Sequence, residues 1–252
     1  MSALAGKVAI VTGGGRGIGR AIVDRLVTEG AYVLTCGRSE RPEDLAAGVV
    51  WSQGDVSDPA HAKQIVAEAQ KAFGPVSILV NNAGVQIEKT LADSTDDDWE
   101  FVVGINCRGV FNMCRAFLLA VPETGGSIIN LGSIAGEVAD PSLALYGASK
   151  AFVHGLTRSI AVDYGPKVRC NAVRPGWIMT PMTEVCFDLA QDPSKAKADA
   201  LARHAVGRFG VPDDIADAVA WLASNQASFI TGQCITIDGG VTAASPLQPG
   251  LS

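Results

Sequence analysis

Ser133, Tyr146 and Lys150 have the side-chain types and the spacing needed to move a proton. Tyr146 and Lys150 stand four residues apart, so on one helix they share a face, one above the other. A free phenol titrates near ~10, and a fixed cation beside it favours the phenolate. Bringing that value to neutrality takes roughly three pKa units, or about 4 kcal/mol, so one ammonium must have help. A Tyr-x-x-x-Lys pair by itself is common on solvated helix faces. The surrounding elements decide what this one does.

Those elements alternate. Val8–Val11, Tyr32–Cys36, Val49–Trp51, Ile78–Val80, Ser127–Leu131, Val168–Val173 and Ile235–Ile237 are short apolar runs that read as strands. Between them lie helical patterns: Ile18–Val27 stopping at Gly30, a segment opened by Asp58-Pro59 and closed by Phe73-Gly74-Pro75, then Asp96–Val121, Tyr146–Tyr164 and Asp213–Ser224. Short, fully apolar strands separated by helices predict an α/β fold, a parallel sheet covered by helices on both faces. No linker, repeat or low-complexity stretch divides residues 1–252, which read as a single domain. The weakest pattern is residues 177–208, expected to form a substrate flap over the site or a plain surface excursion.

Composition narrows the class. Hydrophobic residues make up 48% and charged residues 18% of the 252, which suits a sizeable core. A net charge of −6 argues against nucleic acid, whose phosphates demand a basic face. The strand-like run begins within ten residues of Met1, leaving no room for a signal peptide, and no apolar run approaches membrane-spanning length. A cytoplasmic protein without membrane partners is expected. The six cysteines are scattered, with no Cys-x-x-Cys, and read as reduced, mostly buried thiols. His61, His154 and His204 are far apart, so no metal is expected, and His154 reads as a packing or interface residue.

Thr12-Gly-Gly-Gly-Arg-Gly-Ile-Gly19 falls where the first strand turns into the first helix. Glycines there let the backbone approach a pyrophosphate, and a helix N-terminus offers free N–H groups and positive dipole. Gly13, Gly15, Arg16, Gly17, Ile18 and Gly19 are therefore candidate cofactor contacts. An acidic residue about twenty positions on would bind a ribose 2′-hydroxyl. Here the second strand ends Cys36-Gly37-Arg38, with no carboxylate to repel a 2′-phosphate and with Arg38, helped by Arg16, able to pair with one. NADP is expected over NAD, which stays possible; the adjacent Glu40 weighs the other way.

Taken in order, Thr12-Gly13-x-x-x-Gly17-x-Gly19, Asp55-Val56, Asn81-Asn82-Ala83-Gly84, Asn106, Ser133, Tyr146-x-x-x-Lys150 and Pro175-Gly176 make the chain resemble the short-chain dehydrogenase/reductase family from Lys7 to about Gly240. The resemblance implies a doubly wound, Rossmann-type parallel sheet. It also implies that Asp55 and Val56 hold the adenine and that Asn81, Asn82, Ala83 and Gly84 steady the sheet and border the cofactor. Pro175 and Gly176 would lie against the nicotinamide, with Ile178 and Thr180 at its carboxamide. Asn106 would hold a water joining Lys150 to solvent.

On this resemblance the reaction is hydride transfer between a secondary alcohol and a ketone. Ser133 would hydrogen-bond the substrate oxygen, Tyr146 would give or take the proton, and Lys150, hydrogen-bonded to the nicotinamide ribose, would stabilise the phenolate. The alternatives are a 3-oxoacyl-carrier-protein reductase, which should carry a basic rim from Lys195, Lys197, Arg203 and Arg208, and a catalytically inactive cofactor sensor. Gln86, Ile87, Glu137, Val138, Ala139, Trp177, Met182 and Phe187 are candidate pocket residues by family position, with Glu137 and Gln86 expected either to favour a hydroxylated substrate or to sit on the rim in water. The family also implies a homotetramer built on the helices around 106–121 and 151–164. The tail Ser245–Ser252 lacks periodicity and is expected to be loose or to cross a neighbouring subunit.

Overall fold

The computed structural model describes residues 2–243, so the tail Ser245–Ser252 lies outside them. Its centre is β1 (Val8–Thr12), buried at all five positions because helices cover both faces. α1 (Gly17–Thr28) follows, burying Gly19, Ile22, Val23 and Leu26 at helical spacing. β2 (Tyr32–Gly37), β3 (Val50–Gln53), β4 (Ile78–Asn81), β5 (Gly126–Leu131), β6 (Val168–Pro175) and β7 (Cys234–Ile237) complete a seven-stranded sheet in the order β3-β2-β1-β4-β5-β6-β7. Every pairing is parallel. The order reverses between β1 and β4, the switch point at whose strand carboxyl ends sheets of this kind form a crevice.

Local chemistry sets the helix ends. α2 (Pro59–Phe73) starts where Asp58 accepts the Ala60 N–H at 2.8 Å and stops at Gly74, whose φ is 93°. Removing such a cap costs about 1 kcal/mol. The expected helix Asp96–Val121 is α3 (Asp96–Val103), a wide π turn (Gly104–Gly109) and α4 (Val110–Ala120). A Thr95–Asp98 capping box opens it, and Lys89 pairs with Asp98 at 2.6 Å. Against expectation, Asp96–Ala120 is long and apolar enough by composition to cross a membrane, but most of its apolar stretch is buried inside the fold, as in a core helix.

α5 (Ala144–Tyr164) carries Tyr146 and Lys150 in its first two turns. β6 runs two residues past the expected Val173, which brings Pro175 to the strand end. Residues 177–208 hold two short helices, α6 (Pro181–Asp188) and α7 (Pro193–Ala202), capped by Thr180 and Asp192. α8 (Pro212–Ala223) packs on α1, where Arg25 pairs with Asp217.

Candidate active site

The glycine turn is held from two sides. Thr35 Oγ1 accepts the Gly14 N–H at 3.0 Å and donates to the Val11 carbonyl at 2.7 Å. Thr12 Oγ1 accepts the N–H groups of Asn82 and Ala83, both at 3.0 Å, and Asn82 Nδ2 donates back to the Thr12 and Gly13 carbonyls. The turn and the end of β4 thus come so close that a Cβ on Gly13, whose φ is 69°, would lie 3.0 Å from Ala83 Cα. Arg16, extended at the start of α1, makes no side-chain cap, so no side chain of the cap residue takes the first N–H groups of the helix. Thr180 stands across from them, its Cγ2 3.6 Å from a Cβ built on Gly17. A glycine-walled cradle, open helix N–H groups and two exposed arginines fit a pyrophosphate and its nucleotide. Among the described residues neither Arg16 nor Arg38 pairs with a carboxylate.

Ser133, Tyr146 and Lys150, the trio expected to move a proton, converge beside this cradle. Ser133 is buried just after β5, and its Oγ accepts the Ala135 N–H at 3.1 Å, which leaves its own hydrogen free to donate. Lys150 Nζ lies 5.5 Å from the Tyr146 ring centroid and donates to the Leu131 carbonyl at 2.9 Å. Burial pushes the Lys150 ammonium down to about 8. Burial also pushes the Tyr146 phenol up from its usual value, against the pull of the nearby Ser133 hydroxyl. The lowering expected of a neighbouring lysine is therefore not seen for the phenol among these residues. Gly84 borders the same spot, with a Cβ there 3.5 Å from Lys150 Nζ and 3.4 Å from Asn106 Oδ1.

Asn106 sits in the π turn, where an inserted residue turns its side chain inward. Its Nδ2 donates to Val85 O and Ser149 Oγ, both at 2.9 Å, and its Oδ1 accepts Val85 N–H at 2.9 Å. Both amide donors are thus taken, leaving the backbone and one Oδ1 lone pair for the expected water. Asn81 lies deeper, donating to Asn130 Oδ1 at 2.8 Å. Asp55 and Val56 follow β3, but one Asp55 oxygen is held by the Ser57 N–H at 2.8 Å and the Val56 side chain is buried against Gly109. Pro175 ends β6, and Gly176 packs against Asp238, whose Cβ would lie 2.7 Å from a Cβ there. Ile178 has its side chain buried in the core, and its carbonyl accepts from the Thr183 hydroxyl at 2.6 Å. Thr12, Thr35 and Ser149 were not singled out as contacts, although a polar β-branched residue inside or ending an apolar strand is a readable signal.

The candidate pocket residues disperse. Trp177 and Phe187 stack at 5.2 Å, and Phe209 closes on Phe187, so these aromatics anchor α6. Glu137 turns outward and pairs with Arg174. Gln86 meets Cys186 of α6 at 3.4 Å across the cleft. Val138 and Trp177, with Ile134, Asp140 and Arg203, line a cavity of about 160 Å³.

His154 is buried against Gly132 and Gly136, the two glycines flanking Ser133. Burial, then Lys150 and Arg158, push its imidazole down to about 4. The unfolded chain therefore binds a proton near pH 6.5 that the folded chain refuses until about 4. Thermal stability should fall as pH drops from 6.5 to 4, and His154→Leu should flatten that slope in a melting series. An unchanged slope would dismiss His154 as its source.

A family model described as "Enoyl-(Acyl carrier protein) reductase" matches residues 13–242. A 3-oxoacyl-[acyl-carrier-protein] reductase of Thermotoga maritima is 37% identical over 250 residues, 94% of this chain and 98% of that protein. An NADP-dependent (R)-specific alcohol dehydrogenase of Lentilactobacillus kefiri is 39% identical over 252 residues, 95% and 98% of the two chains. The ligand-free aldohexose dehydrogenase of Thermoplasma acidophilum superposes with a TM-score of 0.92 at 34% identity, covering 99% of each chain. The shared fold, the crevice at the β1/β4 reversal and these full-length matches place the chain among enzymes that use NAD(P): it belongs to the short-chain dehydrogenase/reductase family of oxidoreductases.

Proposed function

We propose that this chain is an NADP-preferring enzyme interconverting a secondary alcohol and a ketone. The observation that carries the reading is the placement of Ser133, Tyr146 and Lys150 beside a glycine cradle whose neighbouring strand ends in Gly37-Arg38. A bound nicotinamide dinucleotide supplies hydride to the carbonyl carbon, or accepts it from the alcohol carbon. Ser133 donates to the carbonyl oxygen as negative charge grows there, and Tyr146 delivers the proton that completes the alcohol. Lys150, fixed under the ring by Leu131, supports the phenolate left behind. Asn106 keeps Ser149 and the Val85 turn in place around that lysine.

A second reading, reduction of a 3-oxoacyl group on an acidic carrier protein, draws on relatives that bear that name. The flap speaks against it: Lys195 pairs with Asp199 and Arg208 with Asp214, which neutralises part of the basic rim such a partner needs. Exposed Phe111, Leu119, Phe152 and Val162 on α4 and α5 favour assembly as a homotetramer. A monomeric mass in light scattering would remove that assignment.

The decisive experiment screens ketones, alcohols and a thioester-linked 3-oxo substrate, each with NADP and NAD in parallel. Turnover of free ketones with NADP is expected. Turnover confined to the thioester would transfer the assignment to the second reading, and a preference for NAD would refute the roles given to Gly37 and Arg38.

A further inference from the structure

Trp51 lies on β3, paired in register with Thr35 of β2. A Cβ built on Gly37 would stand 2.7 Å from Cη2 and 3.0 Å from Cζ2 of its indole. The same Cη2 would lie 3.3 Å from a Cβ on Gly15, and Pro42 closes in at 3.4 Å. One rigid ring therefore fills the space shared by the glycine turn, the loop after β2 and the end of that strand. Its Nε1–H is buried without an acceptor among the described residues, so packing against the α1-side core fixes the ring.

Position 37 is the strand end from which a carboxylate would reach a ribose 2′-hydroxyl. Arg38 follows it, exposed, with its guanidinium 6.0 Å from the Phe101 ring centroid, oriented by a cation–π contact. We propose that Trp51 determines cofactor specificity: by filling the volume beside Gly37 it excludes any side chain there and keeps the strand end for a 2′-phosphate paired with Arg38. Selection then works by exclusion as well as attraction. This inference rests on the NADP reading and deepens it. It also means that placing a carboxylate at position 37 alone will not convert the enzyme to NAD, because the indole blocks the site.

The test is a double-mutant cycle of Gly37→Asp and Trp51→Ala, read by titration of NADP and NAD and by melting of the cofactor-free protein. Gly37→Asp alone should lower the melting temperature and weaken both nucleotides about 10-fold or more. Adding Trp51→Ala should recover melting relative to Gly37→Asp and swing the NAD-to-NADP affinity ratio by on the order of 100-fold toward NAD, a coupling no sum of single effects gives. A swing of that size from Gly37→Asp alone, with melting unchanged, overturns the proposal. Because Trp51→Ala opens a cavity of its own, a second cycle pairs Gly37→Ala with Trp51→Phe. Gly37→Ala should weaken NADP binding in the tryptophan background and much less in the phenylalanine one; equal losses in both overturn the role of Trp51. A wild-type protein that binds NAD more tightly than NADP overturns the NADP reading itself. Additivity in an NADP-preferring protein overturns only the part played by the ring.

Discussion

Tyr146→Phe should lower kcat/KM by about 10²- to 10⁴-fold while leaving nucleotide affinity nearly unchanged. The substitution deletes one oxygen and keeps the ring. Lys150 sits 5.5 Å from that ring and is anchored independently through the Leu131 carbonyl, so its position should survive. Ser133 is likewise held by the Ala135 N–H. What is lost is the proton that the proposed mechanism has Tyr146 deliver. A fluorescence titration of NADP beside steady-state kinetics separates the two effects. Retained turnover would sink the proton transfer assigned to Tyr146; a parallel loss of nucleotide affinity would make the residue a binding group instead. Burial drives the phenol up and the ammonium down to about 8.

Gly19→Ala should abolish tight nucleotide binding, with a loss of about 10²-fold or more, and destabilise the protein by about 1–3 kcal/mol. Helix propensity alone predicts the opposite sign, since alanine inside a helix is favoured over glycine by about 1 kcal/mol. Tertiary crowding reverses it. A Cβ on Gly19 would run into the Gly13 carbonyl and Asn82 Nδ2, and that amide is the group tying β4 to the glycine turn. The turn would have to open, and its N–H groups would no longer converge on one phosphate position. Calorimetric titration with melting checks both halves. A variant that melts higher and still binds would show that the contact is relieved at no cost.

Much of this architecture is legible in the residues. Strand runs such as Val8–Thr12 and Ile78–Asn81 are apolar throughout because both faces are covered, and that pattern alone calls for a parallel sheet. Caps such as Asp58-Pro59 and Thr95 are local events, decided within four residues, so their helix starts can be read directly. The π turn is different. It interrupts a continuous helical pattern at Asn106 because Val85 and Ser149, 21 and 43 residues away in the chain, hold the amide there. The surroundings of the candidate pocket residues depend on contacts of the same kind. Glu137 finds Arg174, and Trp177 finds Phe187, through partners that periodicity cannot supply.

By itself the sequence determined the sheet and, through the ordered motifs that carry its resemblance to a known family, membership among the oxidoreductases, because strand polarity, helix spacing and motif order are properties of neighbours along the chain. Tertiary structure alone decided which glycines are obligatory, how Lys150 and Tyr146 titrate, and what fills the space beside Gly37. Those outcomes depend on steric contact and burial between segments distant in sequence, and the ring of Trp51 against Gly37 and Gly15 is the sharpest instance.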